Sequence, residues 1–376
     1  MNLIERNNSV ITRKNNLEKL ITLKNFPVFF GCTNEDISKD LFADMEWSID
    51  PDTGVIQLSK VIPLEILYQA QHVDGIGGIW EDYYDYFASY IQERKPSTVL
   101  EIGGGSGRLA EKVISKNINL NWTIVEPNPT YDGKYNIKLI STFFDENFKA
   151  DKKYDTVVFS QVLEHAYDPM SFIKNISSFL DVGGKLIFAF PNLEHWVRMK
   201  YANSLNFEHT MLLSEKHVEY MLSKFGMRIT NKTIYKEHSI LYTTIKSENV
   251  IEDEIENKYV EYKKLFTEFI GNYYKEINII NKKIENNDSN IYLFGAHIFS
   301  QYLLCLGLNR NRIKCILDNS KLKQGKRLYG TDIKVDSPLV LRYQKTPVVI
   351  LKAGIYNEEI KKDIIENINP TVIFWE

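Results

Sequence analysis

Cysteine is scarce in this chain, with three among 376 residues. Cys32, Cys305 and Cys315 are widely spaced and odd in number. They suit a reducing compartment and supply no set of thiolates at metal-ligand spacing, so no metal is expected. Each reads as a small buried apolar residue. A one-sided charge is also missing: 46 Lys and Arg stand against 49 Asp and Glu, for a net charge of −3. That balance argues against the basic footprint of a nucleic-acid partner. No apolar run reaches the length needed to cross a bilayer, so no membrane partner is expected. The first eight residues, Met1–Asn8, lack the apolar core of a signal peptide. A cytoplasmic location is the resulting expectation. What is present is ordinary for a soluble globular protein, at 44% hydrophobic and 25% charged residues. The length is more than one compact core usually covers, so two or three domains are expected.

Glycine, by contrast, is concentrated where it matters. Val99–Ile102 is an apolar, β-prone run with one carboxylate, Glu101, and it drops into Gly103-Gly104-Gly105-Ser106-Gly107 before a helical pattern opens at Arg108. Gly103, Gly105 and Gly107 permit a tight strand-to-helix turn and a close backbone approach to a nucleotide-like ligand. Dinucleotide sites use a similar turn, and a structural turn in another α/β domain is the bland alternative. Glu101 shifts the balance, because a carboxylate there can hold an amino-acid moiety. Glu126, at the end of the next strand-like run, stands where an acid should meet ribose hydroxyls. The pattern resembles the S-adenosylmethionine (SAM) motif of class I methyltransferases.

Four segments follow from the patterning. Residues 1–95 read as a small N-terminal domain with a substrate or lid role, ending in the aromatic run Trp80–Phe87, whose helical spacing marks most of its rings as core. Residues 96–248 alternate strands and helices. Strands are predicted at Thr98–Ile102, Trp122–Glu126, Ile137–Ile140, Thr156–Phe159, Lys185–Phe190, Arg228–Ile234 and Ile240–Ile245, the last two as a hairpin. Five βα units and a hairpin predict an α/β fold, a doubly wound Rossmann-like sheet with an antiparallel strand. Residues 249–288 carry apolar residues at three- and four-residue steps and predict an amphipathic, solvated connecting helix. Residues 289–376 predict a C-terminal Rossmann-like domain. No glycine follows Gly295 in its turn, so a docking or structural role is expected there rather than a bound dinucleotide.

Ligands in open α/β sheets sit at the carboxyl ends of strands, which places Ser160, Gln161 and His165 at a site mouth. Phe143 and Phe144 follow the third strand, where a ring can hold adenine or simply pack in the core; Phe144 is the cofactor candidate. Glu208-His209 is an acid/base candidate, since a carboxylate can raise the basicity of an adjacent imidazole. His238, before the last strand, is a further imidazole near the same edge. His72, in the glycine-bearing loop Gln69–Gly78, has the setting of a lid or of an ordinary connector.

With these residues in view, the chain resembles the three-domain sugar-nucleotide C-methyltransferase family. The similarity runs through the glycine motif, Glu126, His165, Phe207–Ser214, Phe294-Gly295-Ala296 and Leu317–Gly325. It implies SAM as cofactor, a nucleotide-linked sugar as the small-molecule substrate, and His209 as base with Glu208, His165 and His238 assisting. Three departures stand out. Asp50 and Thr53 occupy positions where the family has zinc-binding cysteines. Asn206 replaces a tyrosine, and His238-Ser239-Ile240 replaces a His-Gly-Gly. These leave methyl transfer intact and leave the sugar, carbon or oxygen as acceptor, and the oligomeric state open. O-methylation of a sugar or other metabolite, a non-catalytic SAM-fold binding protein, and an NAD enzyme using the C-terminal segment are the rival readings.

Overall fold

Thr98–Ile102 is built from residues that fit a pleated sheet, and it ends where Gly103 adopts a φ of 71°. In the computed structural model, which describes residues 1–69, 78–133, 135–150, 152–201, 204–250 and 253–376, this run is an interior strand of a seven-stranded sheet. Its strands are β1 (Thr98–Ile102), β2 (Asn121–Val125), β3 (Ile137–Ile140), β4 (Tyr154–Ser160), β5 (Leu180–Pro191), β6 (Met227–Tyr235) and β7 (Ser239–Lys246). Their spatial order is 6-7-5-4-1-2-3, and β7 runs antiparallel to both neighbours. The strand order reverses between β1 and β4, where Val157 pairs with Leu100 and Phe159 with Ile102. That reversal opens a crevice beyond the strand ends. The doubly wound α/β sheet with its hairpin is present as the sequence predicts.

Both faces of the sheet are buried, as parallel strands require. Leu100, Val157, Phe159, Phe188 and Tyr242 pack on one face with helices Pro169–Phe179 and Glu215–Lys224. Val99, Val158, Ile187 and Leu241 pack on the other with α1 (Gly78–Gln92) and α2 (Arg108–Ile114). Consecutive residues alternate between the two cores because strand side chains have a period of two.

The chain groups into two compact units that cut across its consecutive segments. The first combines residues 1–18, 48–195 and 208–260; the second combines 19–47, 196–207 and 261–376. The segment 1–95 is thus divided, because its strands pair with partners distant in sequence. In the first unit, Met211–Leu212 pairs with Ile56–Gln57. Nearby, Asp50 is fully buried and accepts from the hydroxyls of Ser9 (2.5 Å), Thr12 (3.1 Å) and Thr53 (3.0 Å) and from the Asp52 amide (2.8 Å). Where the resembled family has cysteines, this chain ties the loop with a carboxylate and hydroxyls, three donors meeting Oδ2 and one meeting Oδ1.

The second unit holds a parallel sheet of Ile291–Phe294, Ile313–Leu317, Val335–Asp336, Val348–Leu351 and Ile373–Trp375. The helix Tyr259–Glu285 is shorter than the segment 249–288, and its face of Phe266, Phe269, Ile277 and Ile284 is core. It is therefore a packing element of that unit, not a solvated connector. Asp318, which would meet a ribose in a dinucleotide site, instead accepts from the Ala296 amide and from Lys323, both at 2.9 Å. The acid is spent on its own turn. Among the described residues no helix is long and apolar enough to cross a membrane.

Candidate active site

The glycine turn is shaped by what a side chain would meet there. A Cβ at Gly103 would come within 2.6 Å of Val162, at Gly104 within 2.7 Å of Ile124, and at Gly107 within 2.4 Å of Tyr131. Gly105 and Gly107 also adopt φ values of 48° and 76°, a region that favours glycine. This cradle lies at the crevice between β1 and β4 and could hold a nucleotide-like ligand against bare backbone. Gly104 belongs to it although the sequence pattern singled out only its odd-numbered neighbours. Glu101, read as a grip for an amino-acid moiety, is buried beneath the turn, its Oε2 accepting from the indole of Trp122 at 2.7 Å. Glu126 is half-buried at the end of β2 and accepts from the Asn128 amide at 3.2 Å.

Phe144 does not stand in the crevice. It packs on Phe148, Phe172 and Phe179 with ring centroids 5.2–5.6 Å apart, so its place is the core. Its neighbour Phe143 lies edge-on to Tyr68 at 6.0 Å and is the better candidate to meet a ligand. A residue at the exit of a strand can turn either way, which periodicity alone does not fix.

Beyond β4 the imidazoles separate into two groups. In the first, the rings of His165 and His209 meet edge to face at 5.2 Å. Glu164 Oε1 lies 3.7 Å from His165 Nε2, and one ligating atom from each of Glu164, His165 and His209 falls within 4.8 Å of the others. The short helix Leu163–His165 and the 208–210 segment are joined by the Thr210 amide donating to the Glu164 carbonyl at 2.9 Å. Arg6 fastens the pair, reaching the Leu58 carbonyl at 2.9 Å and the Tyr167 carbonyl at 3.2 Å and contacting the Thr210 carbonyl. Burial pushes the Glu164 carboxyl up to about 8. Tyr68, not anticipated from sequence, sets its hydroxyl 3.3 Å from His165 Nδ1. Burial, then the charges of Glu208, Tyr167, Glu164 and Glu126, hold its phenol well above the usual range.

In the second group, Gln161, itself at φ 56°, donates to Ser239 Oγ (2.8 Å) and Tyr83 Oη (3.3 Å). Tyr83 bonds Ser160 Oγ at 2.6 Å, and His238 Nδ1 bonds Ser239 Oγ at 2.6 Å. Burial pushes His238 down to about 4, so it is a neutral hydrogen-bonding group at neutral pH. Tyr83 is a core ring of the aromatic run whose polar tip reaches this network. The loop with His72 lies outside the described residues.

His217, an unremarkable imidazole by sequence, is fully buried: its Nδ1 faces the Ser214 amide (3.1 Å) and its Nε2 the Thr53 carbonyl (3.2 Å). Burial lowers it to about 4 against weaker opposing pulls from the Thr53 bond, Asp50 and Glu194. The unfolded chain takes up a proton below about 6.5 that folded His217 refuses until about 4. Stability is therefore present above 6.5 and falls as the pH drops, by about 3 kcal/mol from this residue by pH 4. Urea unfolding between pH 7 and 4 should show a shallower loss in His217→Gln; an unchanged slope would contradict the assignment.

Comparison with known proteins bears on this geometry. Residues 75–232 match a family model described as a methyltransferase domain, and residues 230–370 match a C-methyltransferase C-terminal domain. An uncharacterized protein of Methanocaldococcus jannaschii is 28% identical over 144 residues, 37% of this chain and 69% of that one. The ubiquinone biosynthesis O-methyltransferase of Rickettsia akari is 22% identical over 236 residues, 57% of this chain and 83% of that one. The N-methyltransferase NodS from Bradyrhizobium japonicum, in complex with S-adenosyl-L-homocysteine, aligns with a TM-score of 0.37 and 16% identity over 46% of this chain and 89% of that one. The chain is an enzyme, a methyltransferase with SAM as its cofactor.

Proposed function

We propose that this enzyme methylates a carbon beside the keto group of a nucleotide-linked sugar, or of a related glycan precursor, with His209 as the base. The observation that carries this reading is the match of residues 230–370 to a C-methyltransferase C-terminal domain. The His165–His209 pair supports it, because carbon acceptors need a base strong enough for a C–H proton. Gly103, Gly105, Gly107 and Glu126 would hold the cofactor, with Glu101 bracing the turn and Ser160 and Gln161 lining the β4 side. Bound SAM supplies a methyl carbon on a cationic sulfonium. His209 would take the α-proton of the sugar, with Glu208 supporting its basicity; the C–H electron pair would form the new bond to the methyl carbon as the methyl–sulfur bond breaks, its electrons leaving on the sulfur of S-adenosylhomocysteine. His165, set by Tyr68, orients the His209 ring, and the rigid framework holds donor and acceptor in line. His238 remains a neutral hydrogen-bonding group. Three unpaired cysteines support a reducing, cytoplasmic setting.

A second reading, methylation of an oxygen, is favoured by the Rickettsia O-methyltransferase relative. The two differ in what happens to carbon-bound hydrogen. With S-adenosylhomocysteine in place of SAM, a C-methyltransferase should exchange the sugar's α-proton with deuterated solvent. A screen of nucleotide-linked sugars with methyl-labelled SAM should then give a product labelled on carbon. Label on oxygen, with no exchange, would reject the carbon reading.

A further inference from the structure

Glu164 is 1% exposed, and its Oε2 is buried with no hydrogen-bond partner. A carboxyl oxygen withdrawn from water without a donor is costly, and such a group calls for a physical reason, a bound ion among them. The groups around this one are imidazoles. His165 Nε2 lies 3.7 Å from Glu164 Oε1, and His209 completes a set of three ligating atoms within 4.8 Å of one another. We propose that Glu164, His165 and His209 form a divalent-cation site, for an ion of the zinc class that accepts imidazole nitrogen together with carboxylate oxygen. A fourth position would be left to water or to an oxygen of the acceptor.

The surroundings fit. Ligating histidines are commonly oriented by a partner on the other ring nitrogen, and Tyr68 stands 3.3 Å from His165 Nδ1. The Thr210–Glu164 backbone bond, at 2.9 Å, keeps the segment bearing His209 beside the loop bearing the other two ligands. Zinc bonds of about 2.0–2.2 Å place ligand atoms up to roughly 4 Å apart, so modest side-chain rotation closes the cluster. The expectation of no metal came from cysteine spacing and did not reach donors that meet only in the fold. One consequence rests on the reading of His209 as base: an ion on this imidazole occupies the lone pair that must take the proton, so occupancy stops turnover.

The test titrates chelator-stripped enzyme with Zn²⁺ or Co²⁺ alone, by calorimetry and, for Co²⁺, visible absorption. One equivalent should bind, and Glu164→Gln or His165→Ala should raise the Kd at least about tenfold, since even outer partners of a metal site carry that much. His195→Ala, which removes a partly exposed imidazole beside Glu237, should bind as the parent does. Turnover should fall in step with occupancy and return with chelator. No bound equivalent, or binding indifferent to Glu164→Gln, overturns the site and leaves the base reading untouched. Binding with unchanged or increased turnover keeps the site and removes His209 as base.

Discussion

Replacing His209 by Asn, or Glu208 by Gln, should lower turnover by roughly two to four orders of magnitude, the usual worth of a positioned base. SAM affinity should stay near normal. The residues proposed to hold the cofactor are the turn after β1 and Glu126 after β2, whereas the 208–210 segment is fastened to the loop after β4. A residue that acts on the acceptor's proton is used in the transition state and not in holding the cofactor, so its loss reduces kcat and kcat/KM together. Neither change should unfold the protein, because the backbone bonds of Thr210 to Glu164 and Arg6 remain. Near-normal turnover in both variants would remove the pair from the mechanism. His165 would then become the candidate, with the Tyr68 phenol beside it.

The contrast between what the sequence reveals and what it hides follows from distance along the chain. The seven strands of the central sheet are local patterns, β-prone runs bounded by glycine, proline or charge, and their predicted and observed limits differ by a few residues, most at β5. The glycine turn is equally local, so its residues are legible one by one. The pairing of His165 with His209 is not local: it depends on Arg6, from the chain's first residues, and on a backbone bond between segments more than forty residues apart. Sequence identifies the imidazoles; only the fold separates His238, half-buried and neutral, from the two that meet. Tyr68 escaped notice because nothing near it has periodicity. Phe143 and Phe144 were distinguishable only by which one the core needed, and the cluster of Phe148, Phe172 and Phe179 takes Phe144.

The second large effect is expected at the turn itself. Gly105→Arg should abolish detectable SAM binding, and Glu126→Ala should weaken it by roughly ten- to hundredfold, the worth of hydrogen bonds to a charged group. Gly105 lies in the middle of the turn at a φ of 48°. At Gly103, Gly104 and Gly107 an added Cβ meets the protein's own Val162, Ile124 and Tyr131, so loss of binding there would be confounded with damage to the fold. An arginine at 105 must also accept a φ of 48°, a region that favours glycine, so the melting temperature decides whether lost binding reflects the site or the fold. Glu126 tests the proposed ribose contact at the end of β2. It is half-buried and held by the Asn128 amide, so alanine removes an acceptor without opening the core. Calorimetric titration with SAM, beside thermal melts to establish that both variants remain folded, separates the outcomes. Normal affinity in both would mean that the cofactor lies elsewhere than the β1–β4 crevice, and every role assigned to the residues around it would have to be reconsidered.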